Sequence, residues 1–187
     1  MIDHFGFLAP FYEHFIRARG PEPYLTYAQL PVKGKLLDVG GGTGRISQTL
    51  RNYCNQIVVV DESVKMLFQA SKKNGLDLAC ARSEKLPFRD NSFDRVLMVD
   101  ALHHVMDQRH TILELWRIVK PGGIIIIEEP EIQTFGVKLI AFAEKIALMR
   151  SHFLTARAIA DLFPKQAAQI RTMRQGHNCF VVVEKGC

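Results

Sequence analysis

The chain has 187 residues, 48% of them hydrophobic, and a formal net charge of +5 at pH 7. This length matches one domain, and the apolar content is enough to bury a sizeable core. The basic residues are scattered, which favours a solvated surface over a nucleic-acid-binding tract. The apolar run at 124–127 is far shorter than the roughly 20 residues that a membrane helix needs, so we expect no transmembrane segment.

Cysteine usage and the N-terminus bear on location. The four cysteines form no C-x-x-C pair and have no metal-ligand spacing with the seven histidines. The first residues lack the basic region and the cleavage site of a signal peptide. We therefore expect a protein of the reducing cytoplasm, without a metal site.

The N-terminal segment, residues 1–34, begins with an aromatic stripe. Leu8, Phe11, Tyr12 and Phe15 have helical spacing, and Pro21 and Pro23 interrupt any continuing helix. One interpretation is a lid over a ligand site, and a plain amphipathic helix docked on the sheet is about equally favoured. A lipid-contacting helix is weaker, because Arg17 and Arg19 are its only cations.

A glycine-rich turn follows the first predicted strand, residues 35–39. Gly40, Gly42 and Gly44 lie between that strand and a predicted helix at 43–53, a geometry that lets a ligand approach the backbone. Arg45 occupies the sixth position, where the G-x-G-x-x-G dinucleotide fingerprint has its last glycine, so that fingerprint is absent. The pattern therefore predicts a nucleotide site, but not one for NAD.

The second predicted strand, residues 57–60, ends at Asp61, 21 residues beyond Gly40. A carboxylate at this strand end accepts hydrogen bonds from ribose hydroxyls, which indicates an adenosine ligand. The alternative is a helix-capping turn, because Ser63 is a suitable N-cap for the helix predicted at 63–73.

The rest of the chain continues the alternation of strands and helices. Further strands are predicted at 76–81, 95–100 and 123–128, helices at 108–119 and 131–150, and two strands about Gly176 within 169–185. The Pro-Gly-Gly sequence at 121–123 is expected to end the preceding helix and turn the chain into the fifth strand. The order predicts an α/β fold, a parallel sheet covered by helices on both faces.

These segments resemble a known family. Residues 36–47 look like motif I of the class I S-adenosylmethionine-dependent methyltransferases, and 61–67 look like their acidic second-strand segment. Residues 83–94, 101–105 and 115–123 resemble, in the same order, segments of the ubiquinone/menaquinone C-methyltransferase branch.

The resemblance implies one methyltransferase domain over 1–187. Within it we expect a substrate segment at 1–34, a cofactor core at 35–130 and C-terminal helices with an antiparallel hairpin at 131–187. The implied fold is a doubly wound, mostly parallel seven-stranded sheet of the Rossmann-like type.

The same resemblance implies S-adenosylmethionine as cofactor and S-adenosylhomocysteine as product. It assigns the methionine end to the glycine turn, the ribose to Asp61, and the adenine to residues after the second and third strands. The cofactor-binding set is Asp38, Gly40, Gly42, Thr43, Gly44, Asp61, Glu62, Met66, Ser83, Glu84 and Asp100. Arg82 departs from the family, where an aspartate is common, so adenine recognition is expected to pass to Glu84 or to backbone carbonyls.

His103 and His104 follow the fourth predicted strand, at the edge where open α/β sheets bind ligands. A histidine there can take a proton from a phenol, enol or carbon acid during methylation. The competing interpretation is that both histidines serve packing or cofactor contact.

The acceptor is expected to be a small, moderately apolar molecule such as a quinone precursor. The Asn/Asp-Pro-Pro-aromatic motif of many nucleic-acid N-methyltransferases is absent after the fourth strand, which disfavours nucleic acid. The alternatives are a cofactor-binding module or regulatory subunit without turnover, an RNA methyltransferase, and, more distantly, a nicotinamide oxidoreductase.

Overall fold

The protein contains one seven-stranded sheet. The computed structural model describes residues 20–131, 152–164 and 168–186. The strands are β1 (Val32–Val39), β2 (Cys54–Asp61), β3 (Asp77–Cys80), β4 (Phe93–Val99), β5 (Val119–Pro130), β6 (Ala168–Gln175) and β7 (Asn178–Lys185). Their spatial order is β3-β2-β1-β4-β5-β7-β6. The first five run parallel, whereas β7 pairs antiparallel with both β5 and β6. The predicted fold class is confirmed.

Five α-helices are described. They are α1 (Glu22–Tyr27), α2 (Arg45–Leu50), α3 (Val64–Ala70), α4 (Gln108–Ile118) and α5 (Ala156–Asp161), with short 3-10 turns at Arg51–Tyr53 and Leu102–His104. Within the described part of the chain, no helix is both long enough and apolar enough to cross a membrane.

The core lies on both faces of the sheet, because the central strands alternate their side chains between two helical layers. On one face Leu37, Val96 and Ile125 pack with residues of α4 and α5. On the other, Leu36 and Leu97 pack with residues of α1, α2 and α3. Burial on both faces explains why the parallel strands read as continuous apolar runs in the sequence.

One helix was not predicted, and one local prediction was wrong. The unpredicted helix is α1: Pro21 is its N-cap and Pro23 lies in its first turn, where the missing N–H of proline would have no partner in any case. The Pro-Gly-Gly sequence at 121–123 lies inside β5, not before it. The pairing of β4 with β5 shifts register there, and Gly122 has a φ of 71°, so an irregularity accommodates the proline.

Two other predictions lie outside the described residues. These are the aromatic helix at 8–15 and nearly all of the helix at 131–150. The C-terminal hairpin is confirmed, with Gly176 at φ 63° in the turn between β6 and β7.

Candidate active site

Acidic and glycine residues gather at the carboxyl edge of the sheet. The ends of β1, β2, β4 and β5 bring Asp38, Asp61, Asp100 and the Glu128–Glu129 pair to this edge. In open α/β sheets this edge is where ligands bind. The strand order therefore assembles a single site from residues that are far apart in sequence.

The glycine turn depends on backbone conformations that other residues adopt rarely. Gly40, Gly42 and Gly44 have φ values of 69°, 55° and 71°. A Cβ on Gly40 would come within 2.6 Å of the Ala101 methyl, and one on Gly44 within 2.8 Å of Leu76. Gly42 differs, because its Cβ would meet only Asp61 and Met66, both at 3.9 Å. Gly40 and Gly44 thus permit close packing, while Gly42 opens onto a space beside Asp61 and Met66.

The N–H groups of the turn are used within the protein. Those of Gly40 and Gly41 donate to the Val60 carbonyl at 2.8 and 3.1 Å, and that of Gly44 donates to the Gly41 carbonyl at 2.8 Å. The Thr43 carbonyl accepts from Lys73 Nζ at 2.8 Å, and Thr43 is 2% exposed. These bonds fix the conformation of the turn and use its N–H groups. The turn therefore provides a ligand with open space at Gly42 rather than with hydrogen-bond donors.

Asp38 is a buried carboxylate beneath the turn. It is 1% exposed and accepts a hydrogen bond from the Ser47 hydroxyl on α2 at 2.7 Å. Burial raises the pKa of Asp38 to about 6, against the opposing effects of the Ser47 hydroxyl and of the Arg45 charge. A charge held here at neutral pH costs stability, and a cationic ligand group would offset that cost.

Asp61 joins β2 to the glycine turn. Its Oδ2 accepts from the Gly42 N–H at 2.9 Å, and its Oδ1 accepts from the Ser63 N–H at 2.8 Å. Ser63 is also the N-cap of α3, with its side chain accepting from the Met66 N–H. The capping turn and the acid beside the ligand space are therefore both present, and the two interpretations of Asp61 are compatible.

Asp100 leaves β4 in a left-handed conformation, with a φ of 52°. Its N–H donates to the Glu128 carbonyl at 2.9 Å, and its carboxylate lies 3.9 Å from an Arg45 guanidinium nitrogen. Burial, followed by the charges of Glu128 and Glu129, raises the pKa of Asp100 to about 6. Strained non-glycine backbone of this kind often occurs at functional sites.

The residues assigned to adenine follow the carboxyl ends of β2 and β3. Met66 is 4% exposed, whereas Glu62 is exposed. The Ser83 hydroxyl lies 3.2 Å from that of Thr111 on α4, and Glu84 accepts from Arg82 at 3.0 Å. Arg82 thus pairs with Glu84, the acid that we expected to recognise adenine in place of residue 82. The side chain of Ser83 is oriented by its contact with Thr111 of α4.

The two histidines occupy the 3-10 turn after β4. His103 is 4% exposed, its Nδ1 is hydrogen-bonded to Glu129, and its ring stacks on Phe153 with centroids 4.4 Å apart and planes at 14°. The centroid of the His104 ring lies 3.9 Å from that of His103. Burial, together with the His103 charge, lowers the pKa of His104 to about 3, so His104 is neutral at physiological pH.

Sequence reasoning missed four residues of this edge. Glu128 is 1% exposed and accepts from the Tyr24 hydroxyl and from the Asn178 amide, while Glu129 is 3% exposed and contacts the turn after β4. Two acids at the end of an apolar strand were a visible signal for Glu128 and Glu129. Tyr24 and Asn178 had no local signal, because they meet Glu128 only through the fold.

Comparison with known families bears on the central part of this site. Residues 37–127 match the family described as "Methyltransferase domain". This stretch is a methyltransferase domain. It contains the glycine turn, Asp61 and both histidines, and it ends one residue before Glu128.

A curated relative points to one branch of these enzymes. The demethylmenaquinone methyltransferase of Streptomyces avermitilis is 34% identical over 129 residues, which cover 68% of this chain and 54% of the relative. The chain thus spans about half the length of that relative. The methyltransferase domain resembles the ubiquinone/menaquinone branch of the class I enzymes, as the sequence motifs predicted.

Solved structures share the fold over almost the whole chain. A protein of Thermotoga maritima, described as a methyltransferase and possible histamine N-methyltransferase, aligns with a TM-score of 0.78 at 24% identity, covering 97% of this chain and 98% of that one. A methyltransferase of Haloferax volcanii, solved in complex with a methyltransferase activator, aligns with a TM-score of 0.84 at 18% identity and complete coverage of both chains.

S-adenosylmethionine is the cofactor that this family and fold imply. The residues present fit it: the open side of Gly42 faces a space beside Asp61, whose carboxylate suits ribose hydroxyls, and Met66, whose thioether suits an adenine face. The buried Asp38 and Asp100 suit the cationic groups of the methionine end.

Proposed function

We propose that this protein transfers a methyl group from S-adenosylmethionine to a small, moderately apolar acceptor, most simply a hydroquinone. The observation that carries the proposal is the hydrogen bond from the Gly42 N–H to Asp61 Oδ2 at 2.9 Å. It brings the glycine turn and the acid of β2 to one space at the carboxyl edge, which is the arrangement that an adenosyl group requires.

The bound cofactor supplies an electrophilic methyl group on a sulfonium. The task of the protein is to align an acceptor with that carbon and to exclude water. The buried acids Asp38 and Asp100 favour positive charge in the site, and the half-buried Phe153, which stacks on the His103 ring, adds an aromatic side chain beside the turn after β4. A planar aromatic acceptor is the kind of molecule that stacks on such a side chain.

The name of the curated relative supports a quinone-type acceptor, and the absence of the Pro-Pro-aromatic motif after β4 agrees with it. Under this proposal Asp61 holds the ribose, Glu62 and Met66 flank the adenine, and Ser83 and Glu84 meet its edge. Free thiols at Cys54, Cys80 and Cys179 support a reducing, cytoplasmic location.

Two measurements test the proposal. Calorimetry with S-adenosylhomocysteine should give a dissociation constant in the micromolar range, which corresponds to a binding free energy on the order of −8 kcal/mol. A labelled methyl donor is then incubated with the protein and a short-chain naphthohydroquinone, a small amine such as histamine, or total RNA. Label in the hydroquinone supports the proposal, and label only in the amine or the RNA contradicts the acceptor class. Binding without turnover on the whole panel favours a cofactor-binding module or regulatory subunit.

A further inference from the structure

Glu129 binds the segment that follows β4 through three hydrogen bonds. Its Oε1 accepts from the backbone N–H groups of Ala101 at 3.1 Å and Leu102 at 2.7 Å, and its Oε2 is bonded to His103 Nδ1. The residue is 3% exposed. A buried carboxylate is costly unless it is well bonded, and here all three donors come from consecutive residues of one turn.

That turn forms a wall of the proposed cofactor site. The methyl of Ala101 lies against Gly40, so closely that a Cβ on Gly40 would come within 2.6 Å of it. The preceding residue, Asp100, has the strained φ of 52°. Glu129 therefore holds residues 101–103 against the glycine turn immediately after a point of backbone strain.

The third bond fixes the tautomer of an imidazole. A carboxylate only accepts hydrogen bonds, so Nδ1 of His103 carries a proton in this contact, and Nε2 keeps its lone pair when the ring is neutral. Phe153 stacks on the same ring, and the His152 N–H donates to the His103 carbonyl at 2.7 Å. The Gln108 amide reaches both the Leu102 and the His152 carbonyls, at 3.0 and 2.6 Å. Glu129 thus holds the edge of the ring and Phe153 packs on its face.

We propose that Glu129 is the positioning residue of the active site: it holds the Ala101–His103 turn against the glycine turn and orients His103 so that Nε2 can accept the proton of the methyl acceptor. This inference rests on the proposed function. In the reaction, an electron pair of the acceptor forms the bond to the methyl carbon, and the electrons of the sulfur–carbon bond go to sulfur. The acceptor proton passes to Nε2 and then to solvent.

Substitution of Glu129 by Gln separates the two contacts. The amide oxygen of E129Q can still accept from the backbone N–H groups, but its NH₂ donates to Nδ1 and forces the other tautomer of His103. We expect E129Q to bind S-adenosylhomocysteine within about threefold of the wild type and to lose roughly 100-fold or more in kcat, the kind of loss that a wrong tautomer causes. Glu129→Ala, which removes both contacts, should also weaken binding of S-adenosylhomocysteine by roughly tenfold.

The tautomer of His103 gives a readout that is independent of activity. Long-range ¹H–¹⁵N correlation spectroscopy shows which of its two ring nitrogens carries the proton. The wild type should show the Nδ1–H tautomer and E129Q the Nε2–H tautomer. Glu128→Gln is the matched control, because Glu128 is equally buried on the same strand but bonds to Tyr24 and Asn178. In E128Q the His103 tautomer should remain that of the wild type.

His103→Asn is a second test if E129Q does not fold. Its side-chain NH₂ can still donate to Glu129, but it has no basic nitrogen, so kcat should fall while S-adenosylhomocysteine binding stays within about threefold. The inference is overturned if E129Q leaves the tautomer unchanged, or if H103N weakens S-adenosylhomocysteine binding as much as E129A. If the wild type does not bind S-adenosylhomocysteine, the proposed function fails instead, and the tautomer measurement still tests the contact.

Discussion

Substitution of Asp38 by Asn should stabilise the free protein at neutral pH while weakening cofactor binding. Asp38 is 1% exposed, and burial raises its pKa to about 6, compared with 3.8 for an unperturbed aspartate. The folded protein therefore holds an unfavourable charge above pH 6. Asparagine removes the charge and keeps an oxygen that can accept from the Ser47 hydroxyl.

The magnitude follows from the two pKa values. Each pH unit between the folded and the unfolded value is about 1.4 kcal/mol, so a separation of about two units makes the cost about 3 kcal/mol. Between about pH 4 and pH 6 the unfolded chain has released this proton and the folded chain retains it, so the contribution of Asp38 to stability falls as pH rises. Above pH 6 the loss is complete. The new buried NH₂ of asparagine makes 3 kcal/mol an upper bound.

Urea unfolding of the wild type and D38N, from about pH 4.5 to about pH 7.5, measures the difference directly. We expect the difference between the two free energies of unfolding to be smallest at the acid end and to grow towards the neutral end, where D38N is the more stable protein. Calorimetry at neutral pH should show weaker S-adenosylhomocysteine binding by D38N, because Asp38 is assigned to the methionine end of the ligand.

Asp94 provides a control of opposite sign. Burial acts to raise its pKa, but hydrogen bonds from Lys120 and from the Lys35 N–H outweigh burial and lower it. Asp94 therefore contributes stability above the unfolded pKa that is lost as pH falls through the folded one, and D94N should be less stable than the wild type at neutral pH. A difference between D38N and the wild type that is the same at every pH would refute this reasoning.

Three further substitutions test other contacts. Asp61→Ala should weaken S-adenosylhomocysteine binding by about 1–3 kcal/mol through lost hydrogen bonds, and unchanged affinity by calorimetry would refute the ribose role. Gly42→Ala should lower the free energy of unfolding by about 1 kcal/mol, because its φ is 55°, and should also weaken binding; Gly75→Ala, at φ 78° with open space around it, should share the first effect only. Tyr24→Phe should destabilise by about 1–3 kcal/mol, because Glu128 loses a buried donor; an unchanged urea midpoint would contradict that bond.

The sheet could be predicted because its signal is local. A central parallel strand is buried on both faces, so the segments at 35–39, 57–60 and 95–100 read as apolar runs. Two positions of proline were missed for a physical reason. Pro23 lies in the first turn of α1, where no N–H is needed, and Pro121 lies at an irregularity of β5. Sequence alone does not distinguish a proline at such a position from one that ends a helix or strand.

The site could be predicted only where function depends on one strand end. Asp38 and Asp61 each follow an apolar run, and their neighbours along the chain supply the glycine turn and the cap. Glu129 acts on residues 26–28 positions earlier in the chain, through the pairing of β4 with β5. Glu128 meets Tyr24 across 104 positions. Such contacts depend on strand register and layer packing, which no single segment encodes.

The electrostatics of the carboxyl edge link the stability of the protein to its proposed chemistry. Asp38 and Asp100 have raised pKa values because they are buried, and Asp100 also lies near the acids at 128 and 129. A sulfonium or ammonium group among these carboxylates lowers the cost of their ionisation. The product S-adenosylhomocysteine lacks the sulfonium charge, so the same carboxylates favour the charged donor over the product. The stability that Asp38 costs the free protein and the preference of the site for the donor therefore arise from one electrostatic interaction, and a substitution that relieves the first should diminish the second.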